Sequence, residues 1–238
     1  MTNRPYAVFD IDGTLVRWQL FHAVADALIR LGYVEAEAFA SMRAARMAWK
    51  RRDDRQAFKA YEQQLVKTYN QLLSQLRIAQ FDEAAEAVFS EYKDQVYIYT
   101  RDIITSLKAK GYLLFAISNS QAEIIEKIAA YWGFDDFVGA VYERRGDHFS
   151  GHVTVHLHDK DVVLRQLVSK HGALQKGSIA IGDSASDIPM LEATEQAIAF
   201  NPDQILFEHA KSKEWQIVIE RKNVIYKLGA SHGRYLLA

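Results

Sequence analysis

Apolar positions along this chain change their period several times, and each change marks an element. Tyr6-Ala7-Val8-Phe9 is an unbroken apolar run ending in Asp10, which predicts a short buried strand. From about Trp18 to Gln95 there is no proline and one glycine, Gly32. That stretch is rich in Ala, Leu, Gln, Glu, Lys and Arg, all good helix formers. Three or four helices fit there, about Leu20–Leu31, Glu35–Arg52, Arg55–Ser74 and Phe81–Lys93. Phe21, Val24, Ala25, Leu28 and Leu31 fall at helical spacing in the first of them.

Beyond Val96 the texture alternates. Thr100–Lys110 reads as a helix that stops at Gly111, and Tyr112–Ile117 as a fully buried strand. A helix over about Gln121–Tyr131 ends at Gly133. Phe137–Tyr142 and Gly151–Val155 read as short strands of a hairpin around Gly146. Val162–His171 is a further helix, Ser178–Ile181 a further strand, and Ala197–Phe200 and Gln216–Ile219 close the series. Strands alternating with helices imply an α/β fold, a doubly wound and mostly parallel sheet covered on both faces. The expected organisation is a core from residues 1–16 and 97–238, with an all-helical domain, residues 17–96, inserted after the first strand.

Composition narrows the function classes. Twenty-nine basic residues against thirty acidic ones exclude a globally basic nucleic-acid binder. The absence of cysteine excludes disulfides, zinc–thiolate sites and thiol catalysis. No apolar run approaches the ~20 residues of a spanning helix. The short polar N-terminus does not read as a signal peptide, so a cytoplasmic protein is expected.

Ligands of such a sheet bind beyond the carboxyl ends of its strands. Asp10 and Asp12 stand after the first strand, in Asp10-Ile11-Asp12-Gly13-Thr14-Leu15-Val16. Ser118-Asn119-Ser120 follows the second, Lys160 opens a later helix, and Gly182-Asp183-Ser184-Ala185-Ser186-Asp187 follows another strand. Carboxylates converging at one edge repel one another, and a hard divalent cation such as Mg2+ relieves this. Ser118 and the amides after it, with Lys160, are candidate phosphate donors, and Lys176 is an alternative lysine. A carboxylate nucleophile, a second carboxylate, a cation and phosphate donors together point to phosphoryl transfer.

These four segments, in this order, resemble the motifs of the haloacid-dehalogenase-like hydrolases. The form of the last motif and the helical insertion resemble the phosphoserine-phosphatase-like branch. The resemblance implies a Rossmann-like core with a helical cap, and a Mg2+-dependent phosphomonoester hydrolase. By that resemblance Asp10 is the nucleophile and forms an aspartyl-phosphate, and Asp12 is the general acid and base. Ser118, Asn119 and Lys160 hold the phosphate. Asp10, Asp183 and the backbone carbonyl of Asp12 bind Mg2+, with Asp187 in support. The expected partner is a small phosphorylated metabolite, with neither nucleic acid nor membrane involved. Phosphoserine hydrolysis and phosphoryl transfer to an acceptor other than water are the alternatives. Two departures count against phosphoserine. Gln19 stands where the branch carries an acidic residue, and Asn119-Ser120 where it carries two glycines.

Other features have competing readings. Ser120-Gln121-Ala122-Glu123 reads as a capping box, and Ser186 as the cap of the helix that carries Pro189. His152, His156 and His158 share one face of a strand, in a solvated hairpin or a metal site. The basic run Arg43–Lys59 is a solvated face or a lid over an anionic substrate. Substrate choice is expected from Gln19, Arg43, Arg46 and Arg52.

Overall fold

Strand β1, Pro5–Phe9, is buried along nearly its whole length because it lies between two parallel neighbours, which is why its sequence is almost wholly apolar. A computed structural model describes residues 4–54, 57–155, 159–231 and 234–237. The chain folds as two compact units, one of residues 1–18, 92–140 and 155–238, the other of residues 19–91 and 141–154.

The first unit is an α/β layer structure. Besides β1 its strands are β2 (Leu113–Gln121), β3 (Asp136–Arg145, whose second half lies in the other unit), β5 (Leu174–Gly182), β6 (Gln196–Phe200), β7 (Gln216–Arg221), β8 (Val224–Ser231) and β9 (Arg234–Leu237). With β4, His148–Thr154, the order is β4-β3-β2-β1-β5-β6-β7-β8-β9. Strands β3, β2, β1, β5, β6 and β7 run parallel; β4, β8 and β9 are antiparallel. Helices α5 (Ile98–Ala109), α6 (Ala122–Trp132), α7 (Lys160–His171), α8 (Ile188–Glu192) and α9 (Gln204–Ser212) connect them. Val8, Phe115, Ile117, Leu164, Met190 and Leu206 belong to one buried cluster between strands and helices. Helix α6 stops at Gly133, whose φ of 68° is the left-handed cap that glycine takes at least cost.

The segments leading out of and back into this unit are zipped together. Val16 bridges Val96, Arg17 N–H donates to the Gln95 carbonyl at 2.9 Å, and Tyr97 N–H to the Leu15 carbonyl at 3.0 Å.

The second unit holds helices α1 (Leu20–Arg30), α2 (Ala40–Arg51), α3 (Ala57–Leu73) and α4 (Ile78–Tyr92), with the β3–β4 hairpin. Ala25, Phe39, Met42, Tyr61 and Leu65 form its core, and the Trp49 ring stacks on Tyr61 at 5.6 Å. The hairpin is tied to α4: Ile78 N–H donates to the Asp147 carbonyl, Arg144 pairs with Asp82, and Phe149 meets Phe81 edge to face. These are contacts of high sequence separation, which local patterning does not register. Among the described residues, no helix is long and apolar enough to cross a membrane.

The structure corrects several expectations. The helix expected over Glu35–Arg52 begins as a separate 3-10 turn, Ala36–Phe39, before α2. The strand series does not close at Ile219. β7 runs to Arg221, Lys222 takes φ 56° at the turn, and β8 and β9 follow as an antiparallel extension. Lys227, Gly229 and Ser231 dilute the apolar signal of β8, and its pairing with β7 supplies what propensity lacks.

Candidate active site

β2, β1 and β5 are adjacent and parallel, so the three segments leaving them emerge at one edge. Asp10 follows β1 directly, and its N–H donates to the Ile181 carbonyl of β5 at 2.9 Å. The chain then turns tightly, with Leu15 and Val16 N–H both returning to the Ile11 carbonyl. Gly13 sits in this turn at φ 79°, and a Cβ there would lie 2.0 Å from Asp183 Oδ2. The loops after β1 and β5 approach so closely that only glycine fits.

The centre of the site is a buried charge cluster. Lys160, at the start of α7, is 1% exposed, and its Nζ donates to Asp10 Oδ1 at 2.8 Å and Asp187 Oδ1 at 2.6 Å. A third, longer bond reaches the Ile117 carbonyl at 3.3 Å. Burial alone would lower the lysine's pKa. The charges of Asp10 and Asp187 outweigh burial and hold it above its ordinary value. Asp10 is pushed up to about 8 by burial first, against the pull of Lys160, with Asp187 and Asp12 adding to the rise. Asp183 is likewise raised well above the carboxylate range, by burial and then by Asp10 and Asp187.

Asp187 organises the loop after β5. Its Oδ2 accepts from the N–H groups of Asp183 and Ser184, both at 3.0 Å, and from Ser184 Oγ at 3.2 Å. Gly182 packs against it so closely that a Cβ would fall 2.5 Å from Asp187 Cβ. Ser184 caps the 3-10 turn Ala185–Asp187 in a reciprocal capping box with Asp187, and the helix that carries Pro189 has Asp187, not Ser186, at its N-cap position. Ser184 can cap that turn because its backbone is still extended, at φ −133° and ψ 167°.

A second pair forms beside this cluster. Ser118, 1% exposed, donates from Oγ to Asp12 Oδ2 at 2.8 Å and accepts from Ser120 N–H at 2.9 Å. Ser120 therefore does not cap α6 as expected. β2 extends through Gln121, which takes the N-cap position without a side-chain bond. Asn119 Oδ1 and Thr14 Oγ1 are buried and have no hydrogen-bond partner among the described residues.

The structure thus brings Asp10, Lys160, Asp183 and Asp187 into one cluster and pairs Asp12 with Ser118. Carboxylate oxygens of Asp10, Asp183 and Asp187 lie within 4.8 Å of one another, a donor set suited to a hard divalent cation. The Asp12 carboxylate is outside that set. Both Asp187 oxygens already accept hydrogen bonds, so Asp10 and Asp183 are the more open ligands. One lysine against four carboxylates leaves the site short of positive charge, and Mg2+ would fit it for that reason.

Asp203 braces the site, and Tyr97 lies beside it; neither is singled out in the sequence. Asp203 caps α9 by accepting from Leu206 N–H at 2.7 Å, and its Oδ2 also accepts from Ala185 N–H at 3.1 Å. Its own N–H donates to the Asp183 carbonyl at 2.8 Å. Asp203 directly after Pro202 and ahead of a helical run is a readable N-cap signal. Tyr97 lies near Asp183, and its phenol is raised by burial and then by that charge.

In the second unit, Gln19 is the N-cap residue of α1, with no side-chain cap bond. Arg43 is exposed and donates to the Ala36 carbonyl, while Arg52 is exposed at the left-handed end of α2. Arg46 is half-buried near His22. His22 is held down to about 4 by burial and then by Arg46. His152 is exposed on β4; His156 and His158 lie outside the described residues, as does Arg55 of the basic run.

Residues 7–192 match the model of one family, haloacid dehalogenase-like hydrolase. The chain belongs to the haloacid dehalogenase-like hydrolases. Among curated members, phosphoserine phosphatase SerB1 of Mycobacterium tuberculosis is 27% identical over 144 residues, covering 59% of this chain and 47% of that protein. The inhibition of morphological differentiation protein of Streptomyces azureus is 25% identical over 223 residues, covering 90% and 78%. The chain spans about half the length of the first of these curated relatives. Among solved structures, a Bordetella pertussis Tohama I protein of unknown function has a TM-score of 0.72 at 23% identity, covering 92% of this chain and 99% of that chain. A substrate-bound phosphoserine phosphatase has a TM-score of 0.66 at 22% identity, covering 93% and 95%. At that identity the structures bear on the fold alone, and the α/β architecture with its mostly parallel sheet is shared.

Proposed function

We propose that this hydrolase is a Mg2+-dependent phosphatase that cleaves a small phosphorylated metabolite through an aspartyl-phosphate on Asp10. The observation that carries the reading is the pairing of two differently engaged carboxylates. Asp10 is buried and held by Lys160, while Asp12, two residues on, is held by Ser118. One suits a nucleophile, the other a proton carrier.

In the first step a carboxylate oxygen of Asp10 attacks phosphorus and the P–O bond to the leaving alcohol breaks. Asp12 gives its proton to the departing alkoxide, which leaves as the neutral alcohol. In the second step Asp12, now a carboxylate, takes a proton from water as that water attacks phosphorus. The P–O bond to Asp10 breaks, inorganic phosphate leaves, and both aspartates return to their starting state. Ser118, Lys160 and the amide of Asn119 bind the phosphate oxygens, and Asp187 holds Lys160 and the Asp183 loop in place. Asp10 and Asp183, with the Asp12 carbonyl, would hold Mg2+, which would supply positive charge against the phosphate oxygens. Substrate selection is assigned to the helical insertion of residues 17–96.

Relatives named phosphoserine phosphatase make phosphoserine the first candidate to try. The neutral Gln19 favours a neutral or anionic phosphomonoester over an aminoacyl phosphate. The test is a phosphate-release screen over a metabolite panel with Mg2+, with Asp10→Asn as the blank. Release by the wild type, abolished in Asp10→Asn and by EDTA, is expected. Turnover surviving in Asp10→Asn would sink the nucleophile assignment, and turnover in excess EDTA would remove the cation. Added alcohol acceptors that gain phosphate would turn the reading toward transfer.

A further inference from the structure

The loop after β5 carries Asp183, and its backbone groups are held by two carboxylates. Asp187 Oδ2 accepts from the N–H groups of Asp183 and Ser184, both at 3.0 Å. The next amide in line, Ala185 N–H, goes to Asp203 Oδ2 at 3.1 Å. Asp203 also returns a bond of its own, from its N–H to the Asp183 carbonyl at 2.8 Å. It therefore fixes the two peptide units that follow Asp183. Gly13 limits the Asp183 side chain from another direction, since a Cβ there would fall 2.0 Å from Asp183 Oδ2.

Asp203 is itself firmly placed. Its Oδ1 caps α9 by accepting from Leu206 N–H at 2.7 Å. Pro202 before it has a fixed φ. Asn201, at φ 42°, donates from its N–H to the Val218 carbonyl and accepts at Oδ1 from Glu220 N–H, both at 2.8 Å. Glu220 is buried and accepts from the N–H groups of Ile98 and Tyr99 at the start of α5. The run 201–203 is thus tied to β7 and, through Glu220, to α5.

We infer that Asp203 is a positioning residue for the divalent cation, holding the Asp183 carboxylate where a cation can bind. This rests on the Mg2+ reading. The Asp203 side chain is committed to α9 and Ala185, so it acts through the Asp183 loop and not on the reacting atoms. A carboxylate serves cap and loop at once because it has two acceptor oxygens. Asparagine keeps the cap, but its NH2 would then face Ala185 N–H, donor against donor. Serine also caps, and is too short to reach both partners. Groups that hold a metal's ligands in place are typically worth about 10–100-fold in metal affinity.

The experiment titrates Mn2+, a dication that also favours oxygen ligands, into metal-stripped wild type, Asp203→Asn and Asp203→Ser without substrate, reading free Mn2+ by electron paramagnetic resonance. Both variants retain a capping side chain, so cooperative unfolding within a few degrees of wild type is expected. The Mn2+ Kd should rise about tenfold in each. In phosphate-release assays the Mg2+ concentration for half activity should rise by a similar factor, with kcat at saturating Mg2+ retained. A merely structural role would lower Tm and leave Kd alone. A Kd within about twofold of wild type in either folded variant would overturn the assignment. So would a fall in kcat at an unmoved Mg2+ midpoint. Loss of the folded state in both variants would overturn it too, because Asp203 would then support the fold as a whole. A wild type that binds no divalent cation would instead bring down the Mg2+ reading, and this inference with it.

Discussion

Lys160 Nζ lies 2.8 Å from Asp10 Oδ1 across 150 residues of sequence, and both side chains are buried. The same ammonium reaches Asp187, so one cation holds the strand-end carboxylate and the loop after β5 together. Removing it strands two buried carboxylates. Lys160→Met is expected to lower stability by about 3–5 kcal/mol, the range for breaking a buried ion pair from one side. Urea unfolding measures this, and Lys160→Met combined with Asp10→Asn should recover part of the loss. Unchanged stability in the single variant would contradict the buried-pair account.

Ser118 and Asp12 form the second pair. Asp12→Asn should slow turnover by about 10²–10⁴-fold, the usual worth of a general acid–base group. Ser118→Ala removes the bond to Asp12 and the acceptor for Ser120 N–H, costing about 1–3 kcal/mol of stability through the stranded amide. Steady-state kinetics on the two single variants and the double variant should show non-additive losses. Fully additive losses would mean that the two residues act independently.

Gly13 and Gly182 are places where a methyl group has no room. In Gly13→Ala the new Cβ meets Asp183 Oδ2 at 2.0 Å, on a backbone at φ 79°. In Gly182→Ala it meets the Asp187 side chain at 2.5 Å. Each substitution should cost about 1–3 kcal/mol by overpacking and weaken Mg2+ activation by displacing an aspartate. Titration of activity against Mg2+, with thermal unfolding alongside, checks both. Wild-type curves for both variants would refute the close approach.

His22 makes the stability of the helical unit sensitive to acid. Burial, and then Arg46 with Lys50, outweigh the opposing Asp26 and hold the imidazole at about 4. An unfolded histidine titrates near 6.5. Between those values the unfolded chain takes up a proton that the folded chain refuses, so stability falls as pH drops through this window. The full effect is at most about 3 kcal/mol, reached below pH 4. His22→Gln should flatten that part of the curve, measured by urea unfolding from pH 7.5 to 4. Parallel curves for wild type and variant would dismiss His22 as the source.

The sequence by itself determined the elements and the chemistry of their ends. The apolar run into Asp10, the buried run through Ile117 and the short run into Gly182 became β1 and the inner parts of β2 and β5, because the covered part of a central parallel strand buries side chains on both faces and favours apolar ones. The helical texture of residues 18–95 became four helices for a similarly local reason, since helix propensity and 3.6-residue spacing act within a turn or two. The residue types needed for phosphoryl transfer were legible for the same reason, each standing where a strand stops. Tertiary structure decided what those residues do to one another. It chose Lys160 as the partner of Asp10 and Asp187 and gave Asp12 to Ser118. It gave the N-cap position of the Pro189 helix to Asp187 in place of Ser186, and that of α6 to Gln121 in place of Ser120. It also joined the 141–154 hairpin to the helices and extended the sheet through β8 and β9. The pairings, the hairpin and the added strands depend on burial and on register between segments far apart in the chain, and neither is encoded in any window a few residues long.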